Sequence, residues 1–129
     1  MKEKCIKVLK VEPKKAPVVC VLDNELDALQ KAVSIGADYQ GLIEIISLGK
    51  DICILCNEEG KLIGLEPNRR IGHDIICGVF YILGENENGD LVSLTEENIK
   101  YYAEYFKDID EISMDEVENS MIMRFIPLD

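Results

Sequence analysis

The first half of the chain alternates apolar and polar positions with the period of two that is typical of β-strands. The stretches CIKVLKVEP (residues 5–13) and VVCVLD (residues 18–23) predict two strands, which pair through the turn KKAP. LIEIISLG (residues 42–49) predicts a third strand. DICILCNEEGKLIGL predicts a hairpin between residues 52–56 and residues 62–65.

The second half is more strongly apolar. DIICGVFYILG (residues 74–84) has almost no polar position, as expected of a central strand covered on both faces. The turn signal Asn88-Gly89 precedes LVSL (residues 91–94), which predicts a short strand. MIMRFIPLD alternates again and predicts a last strand over residues 121–126.

Two segments show the spacing of an amphipathic helix. Their apolar stripes are Leu26, Leu29, Ala32 and Val33 in the first, and Ile99, Tyr102, Ala103 and Phe106 in the second. Together the pattern predicts an α+β protein, with a mostly antiparallel β-sheet of about six strands and two main helices packed on one face.

The length of 129 residues fits one domain. We expect residues 1–106 to form a single α+β domain. Residues 107–129 are predicted to be an acidic C-terminal extension, packed on the same domain and ending in the last strand. The segment KDIDEISMDEVENS within it is read either as a short helix or as a partner-binding arm.

Composition and charge narrow the function classes. Apolar residues make up 47% and charged residues 30%, as in a globular protein, and no apolar run is long enough to span a bilayer. MKEKCIKVLKVEPKK lacks the apolar block of a secretion signal, so we expect a cytoplasmic protein without membrane association. The net charge of −11 disfavours direct nucleic-acid binding but permits an acidic surface that imitates DNA.

The five cysteines are an odd count, and most lie in apolar, strand-like runs, where they are expected to be small buried hydrophobic residues. Cys53-x-x-Cys56 has the spacing of a zinc knuckle but lacks a second pair or a nearby histidine. In a strand, residues three apart point to opposite faces. We therefore expect no metal and no cofactor.

The loop GLEPNRRIGHD (residues 64–74) carries the sharpest candidate for binding, Asn68-Arg69-Arg70. Arginine presents a planar fork of donors that matches phosphate or carboxylate. Two arginines in one loop are able to hold a phosphorylated ligand or an acidic partner. The alternative is that both pair with the chain's own acids and hold the loop against the acidic C-terminal region.

His73 and Asp74 follow in the same loop, and His73 is the only histidine. A histidine beside a carboxylate is a candidate general base. Adjacent side chains seldom face each other, however, and no nucleophile motif is present. A solvated loop histidine is the alternative, and no catalytic residue is assigned.

Several short motifs carry a resemblance to a known family. They are NEEGKL at residues 57–62, Gly64-Leu65, Asn68-Arg69, Asp74, Gly78, the acidic turn at residues 86–90, and SLT at residues 93–95. With these motifs the chain resembles, over residues 6–106, a family of small uncharacterised proteins of Gram-positive bacteria, their phages and plasmids. The resemblance implies an accessory gene of a mobile element, some of which counter host restriction and immunity, and it favours Asn68 and Arg69 as site residues.

The leading hypothesis is a non-catalytic binding protein of a mobile genetic element, an inhibitor of host defence that binds a basic host protein through acids of residues 85–118. The candidate ligand-binding residues are Asn57, Asn68, Arg69, Arg70, His73 and Asp74. The first alternative is a protein that sequesters a nucleotide or nucleotide signal at Asn68-Arg69-Arg70. The second is a hydrolase with His73 as base. Extended apolar strands are also compatible with a homo-oligomer.

Overall fold

The structure is a computed structural model that describes residues 3–125, with side chains described as far as Met121. The elements in chain order are β1 (Cys5–Val11), β2 (Val18–Asp23), α1 (Leu26–Ala32), β3 (Ile43–Gly49), β4 (Ile52–Asn57), β5 (Pro67–Ile71), β6 (Asp74–Cys77), β7 (Phe80–Glu85), β8 (Leu91–Val92), α2 (Glu96–Tyr105) and α3 (Met114–Phe125).

Six of these strands form one antiparallel sheet, in the order β2-β1-β7-β4-β3, with β8 paired to the end of β7. Strand β7 lies at the centre, where Ile82 is opposite Leu9 of β1 on one side and Ile54 of β4 on the other. Strands β5 and β6 form a separate two-stranded sheet. The predicted α+β class with an antiparallel sheet of about six strands is confirmed.

The two faces of the main sheet each carry a hydrophobic core. Leu29 and Val33, from α1 and its C-cap, pack with one set of strand residues, and Ile99 and Phe106, from α2 and its C-cap, pack with the alternate set. The placement of both helices on one face is therefore wrong. A strand that is apolar at every position places apolar side chains on both faces of the sheet. Each face must then be buried, here by one helix.

The apolar run of residues 74–84 is not one strand. It breaks at Gly78, whose φ is +86°, and β6 and β7 lie in different sheets on either side of it. A Cβ built on Gly78 would lie 2.7 Å from Cδ1 of Leu65. Glycine is thus needed both for the left-handed backbone and for the close approach of Leu65.

Two further sequence predictions are wrong between β4 and β6. Residues 62–65, expected to be a strand of a hairpin with β4, form no strand: residues 62–64 belong to a run of turns, and Leu65 lies between this run and β5. Residues 64–74, expected to be a loop, contain β5 and the turn into β6. Pro67 begins β5 at a free edge, where the missing N–H of proline is tolerated.

The C-terminal region is helical where a last strand was predicted. Helix α3 extends to Phe125, and residues 126–129 lie outside the described residues. Ser113 opens the helix by accepting a hydrogen bond from the Glu116 backbone N–H at 3.1 Å. Val117 of α3 is fully buried against Ile75 and Cys77 of β6 and against Leu65.

Within residues 3–125, no helix has the length and apolar character needed to cross a bilayer.

Candidate functional site

Arg69 lies in the interior rather than on a loop surface, with 1% of its area exposed. Its Nε and Nη2 both donate to the carbonyl oxygen of Phe106, at 3.3 and 3.0 Å, and Nη2 also donates to the carbonyl of Lys15 at 2.8 Å. Its Nη1 donates to the backbone and side-chain oxygens of Asn68, at 3.3 and 2.8 Å. These five contacts engage every N–H of the guanidinium.

Arg69 thereby joins three parts of the chain. Phe106 is the C-cap of α2, so its carbonyl oxygen is one of the acceptors that a helix end leaves without a partner. Lys15 lies in the turn between β1 and β2. Burial lowers the pKa of the Arg69 guanidinium, against the attraction of Asp110 and Asp108. The described contacts make Arg69 a structural cation that caps a helix.

Asn68 supports Arg69 from the same strand. It is 1% exposed, and its Nδ2 donates to the carbonyl oxygens of Val11 and Gly78 at 2.9 and 2.8 Å. With its Oδ1 accepting from Arg69, both ends of the amide are hydrogen-bonded. The Asn-Arg pair is therefore an interior hydrogen-bonding unit that holds the β5–β6 hairpin to β1.

Arg70 faces the opposite way, toward the acidic C-terminal region. Its Nε and Nη2 donate to the two carboxylate oxygens of Glu116, each at 2.7 Å, and its backbone N–H donates to Asp110 at 2.9 Å. The Glu116 carboxylate raises the pKa of Arg70, and the guanidinium lowers the pKa of Glu116. Arg70 therefore pairs with the chain's own acids, which the sequence analysis gave as the alternative to ligand binding.

His73 and Asp74 sit at the β5–β6 turn. His73 is exposed at the tip of the hairpin. The Asp74 carboxylate forms an ion pair with Lys61 and accepts a hydrogen bond from the Ile75 backbone N–H at 2.8 Å. Asp74 is thus engaged with neighbouring residues of its own turn and of the preceding segment.

Asn57, the last candidate, ends β4 and is 5% exposed. Its Nδ2 donates to the carbonyl of Val33 at 3.3 Å, and its Oδ1 accepts from the Glu59 backbone N–H at 2.9 Å. Asn57 and Asp74 both line a cavity of about 240 Å³ between the main sheet and the β5–β6 hairpin. The six candidate residues therefore do not form one site. They divide into an interior pair (Asn68 and Arg69), a residue bonded to α3 (Arg70), an exposed residue at the hairpin tip (His73) and two residues of the cavity wall (Asn57 and Asp74).

Three of the five cysteines, Cys53, Cys56 and Cys77, are buried, whereas Cys20 is half-buried and Cys5 is exposed. Cys53 and Cys56 belong to the cores on opposite faces of the sheet, as the spacing predicts. Burial raises the pKa of Cys53 to about 11, and burial followed by the charge of Glu44 raises the pKa of Cys56 to about 12. Among residues 3–125, no three His, Cys, Asp or Glu side chains are grouped so as to hold a metal ion.

The exposed side of α2 carries a feature that sequence reasoning did not assign to a site. Tyr101 and Tyr105 are 60% and 63% exposed, and their rings stack at a centroid distance of 6.3 Å. We call these two residues the tyrosine ridge. The exposed acids Glu97, Glu104 and Asp108 lie within four residues of one or both tyrosines. Their i, i+4 spacing in the sequence is the signal that places both rings on one helix face.

The surface charge depends on which lysine and arginine side chains are in ion pairs with the chain's own carboxylates. In the part of the chain whose side chains are described, the cations in ion pairs with carboxylates are Lys7, Lys10, Lys14, Lys15, Lys31, Lys61, Arg70 and Lys107. Arg69 is buried, so Lys4, Lys50 and Lys100 are the cations of residues 3–121 outside such pairs.

The geometry defines a class of protein: an α+β fold whose antiparallel sheet has one helix on each face. In this fold, Arg69 bonds the β5–β6 hairpin to the C-cap of α2, and Arg70 bonds it to α3. The model of the family described as domain of unknown function (DUF3846) matches residues 6–107, and the chain belongs to this family. The match ends where α2 ends, before α3. No curated protein and no solved structure matches the chain.

Proposed function

We propose that this chain is a non-catalytic binding protein that engages a basic protein through an acidic surface formed by α2 and residues 107–118. The observation that carries the proposal is the pairing of most lysines and arginines with carboxylates of the same chain. Of the twelve lysines and arginines of residues 3–121, eight are in ion pairs with the chain's own carboxylates and Arg69 is buried, whereas many carboxylates in the same residues are outside these pairs. The remaining surface attracts cationic partners and repels anionic ones.

The tyrosine ridge supports a protein partner. Exposed tyrosines are enriched in protein interfaces, because they contribute a large contact area with little loss of rotamer entropy. Arginine side chains also stack on aromatic rings, and nearby carboxylates such as Glu97 and Asp108 complement their charge. An arginine-rich segment is the partner chemistry that fits both features.

The two alternatives have less support. A nucleotide held by Arg69 would have to displace hydrogen bonds that already use all of its N–H groups, and one held by Arg70 would have to displace Glu116. A hydrolase would rely on His73 at an exposed turn. The origin in a mobile element and the inhibition of host defence stay predictions from the family resemblance.

The test is the affinity of the protein for a fluorescent arginine-rich peptide, measured by anisotropy at low and at physiological salt. The double variant Tyr101→Ala/Tyr105→Ala keeps the net charge and should weaken binding about tenfold, given roughly 0.5–1 kcal/mol for each exposed cation–π contact. A lysine-rich peptide of equal length should bind less tightly, because lysine does not stack as a planar group.

Tyr39→Ala is the matched control, because Tyr39 is also exposed, at 53%, and follows α1, the helix that covers the sheet face opposite to α2. It should leave the affinity unchanged. If both tyrosine variants bind as the unmodified protein does, and only salt weakens binding, then the interaction is unspecific charge attraction and the proposed surface is wrong.

A further inference from the structure

The proposed function assigns no role to the cavity between the main sheet and the β5–β6 hairpin. Its volume is about 240 Å³, and residues of β3, β4 and β6, the turns after β4, and Met121 of α3 line it. It lies on the α2 side of the sheet, since Cys56 and Ile76 belong to the core that contains α2 residues. The cavity is separate from the tyrosine ridge, and no residue of that ridge lines it.

Part of the cavity wall is formed by apolar and sulfur-containing side chains. Ile46, Ile76 and Met121 contribute hydrocarbon and thioether surface, and Cys56 and Cys77 contribute sulfur. Burial raises the pKa of both thiols, to about 12 for Cys56, so both are neutral near pH 7. A neutral thiol behaves as a small hydrophobic group, and the walls therefore favour an apolar ligand body.

The charged groups at the cavity are unbalanced. Lys61 lines it, but its side chain is only 11% exposed and forms an ion pair with Asp74. Glu44 lies opposite Cys56 on the neighbouring strand and accepts a single contact, from the Cys56 thiol at 3.9 Å. No cation of residues 3–121 forms an ion pair with Glu44.

Glu44 is thus a half-buried carboxylate at the cavity, and within residues 3–121 the side chain that donates to it is the Cys56 thiol. An ionised carboxylate accepts about four hydrogen bonds, and a thiol is a weak donor. A ligand ammonium group would supply strong, charge-assisted donors at this position. A phosphate or carboxylate would meet repulsion from Glu44 and Glu58, with Lys61 already paired.

The volume limits the size of the ligand. An apolar protein cavity of roughly 150 Å³ accommodates benzene, so about 240 Å³ accommodates a body of up to about ten heavy atoms. We propose that this cavity binds a small organic cation, a primary amine carried on an apolar or aromatic body, with Glu44 as the partner of the ammonium group. Leu62, which is exposed, also lines the cavity and adds apolar surface to it.

Three probes of nearly equal size and different charge test the proposal on the full chain: 2-phenylethylamine, 2-phenylethanol and phenylacetate. Binding is followed by titration in two-dimensional amide NMR spectra, which also locate the ligand. The amine should shift the amide signals of Glu44, Cys56 and Ile76 and bind at least about tenfold more tightly than the alcohol, as expected of a charge-assisted contact. Phenylacetate should not bind.

Glu44→Gln should weaken amine binding about tenfold and leave alcohol binding unchanged. Glu25→Gln is the control, since it changes the net charge equally at an exposed residue beside α1, on the opposite face. Equal affinity for amine and alcohol, equal effects of the two variants, or absence of amine binding each overturn the proposal. If Glu44→Gln does not fold, the comparison of the three probes on the unmodified protein still decides it. The tyrosine ridge is intact in every arm, so failure here does not affect the proposed function.

Discussion

At the scale of single residues, the main result is the different use of two adjacent arginines. Strand geometry sends neighbouring side chains to opposite faces, so Arg69 points into the protein and Arg70 toward α3. The planar fork of arginine allows Arg69 to serve three segments at once through five N–H groups. Arg70 forms a two-point ion pair with Glu116 instead.

We expect Arg69→Lys to destabilise the protein by about 3 kcal/mol, because one ammonium group cannot reach all of the acceptors and would leave buried carbonyls without donors. Arg70→Lys should have less than about 1 kcal/mol of effect, because its ion pair is 44% and 39% exposed on the two sides. Urea unfolding of both variants measures the difference. Similar losses for the two would contradict the structural assignment of Arg69.

The difference between the buried Arg69 and the half-exposed Arg70 determines how the nucleotide hypothesis is tested. A lost response in an Arg69 variant would be ambiguous, since that variant is also expected to be less stable. Arg70→Ala keeps the interior contacts of Arg69 and is the informative variant. Ligand-dependent melting shifts in the unmodified protein that vanish in Arg70→Ala would restore the nucleotide hypothesis.

At the scale of elements, α3 covers the β5–β6 hairpin, which otherwise would expose an apolar side. Val117 is fully buried against Ile75, Cys77 and Leu65. The two-point bond of Arg70 to Glu116, one residue before Val117, fixes the start of the helix. A two-stranded sheet is marginal by itself, so α3 is expected to contribute to the order of the whole hairpin.

Val117→Ala should lower the free energy of unfolding by roughly 2 kcal/mol, which combines lost hydrophobic transfer and a residual cavity. Met114→Ala, in the first turn of the same helix and 48% exposed, is the control and should change stability by less than about 0.5 kcal/mol. Thermal or urea unfolding provides the comparison. If Val117→Ala is as mild as the control, α3 does not contribute to the stability of the hairpin.

At the scale of the whole molecule, the two cores contain groups that must stay neutral. Burial raises the pKa of Cys53 to about 11 and of Cys56 to about 12, and it also raises the pKa of Tyr81, whose hydroxyl donates to the Ala32 carbonyl. These pKa values lie above those of the unfolded chain. The folded state therefore holds protons that the unfolded state releases as the pH rises.

We expect stability to be nearly constant between about pH 7 and about pH 8.5 and to fall progressively as the pH rises toward the folded-state pKa values, because deprotonation favours the unfolded state. Urea unfolding at a series of alkaline pH values measures the slope. Cys56→Ala should reduce that slope even if it lowers stability at neutral pH. A stability that does not change through this range would show that the thiols and Tyr81 titrate normally.

The sequence by itself determined the α+β class, the main strands β1 to β4 and the position of both main helices, because period-two and period-3.6 patterns are local properties of the chain. It also placed Cys53 and Cys56 on opposite faces. Tertiary structure decided the rest. Which face each helix covers, the break at Gly78, the helical end of the chain and the inward turn of Arg69 all depend on contacts between distant segments. Phe106 and Lys15 accept from Arg69 across 37 and 54 residues of sequence, and no local pattern encodes such a meeting.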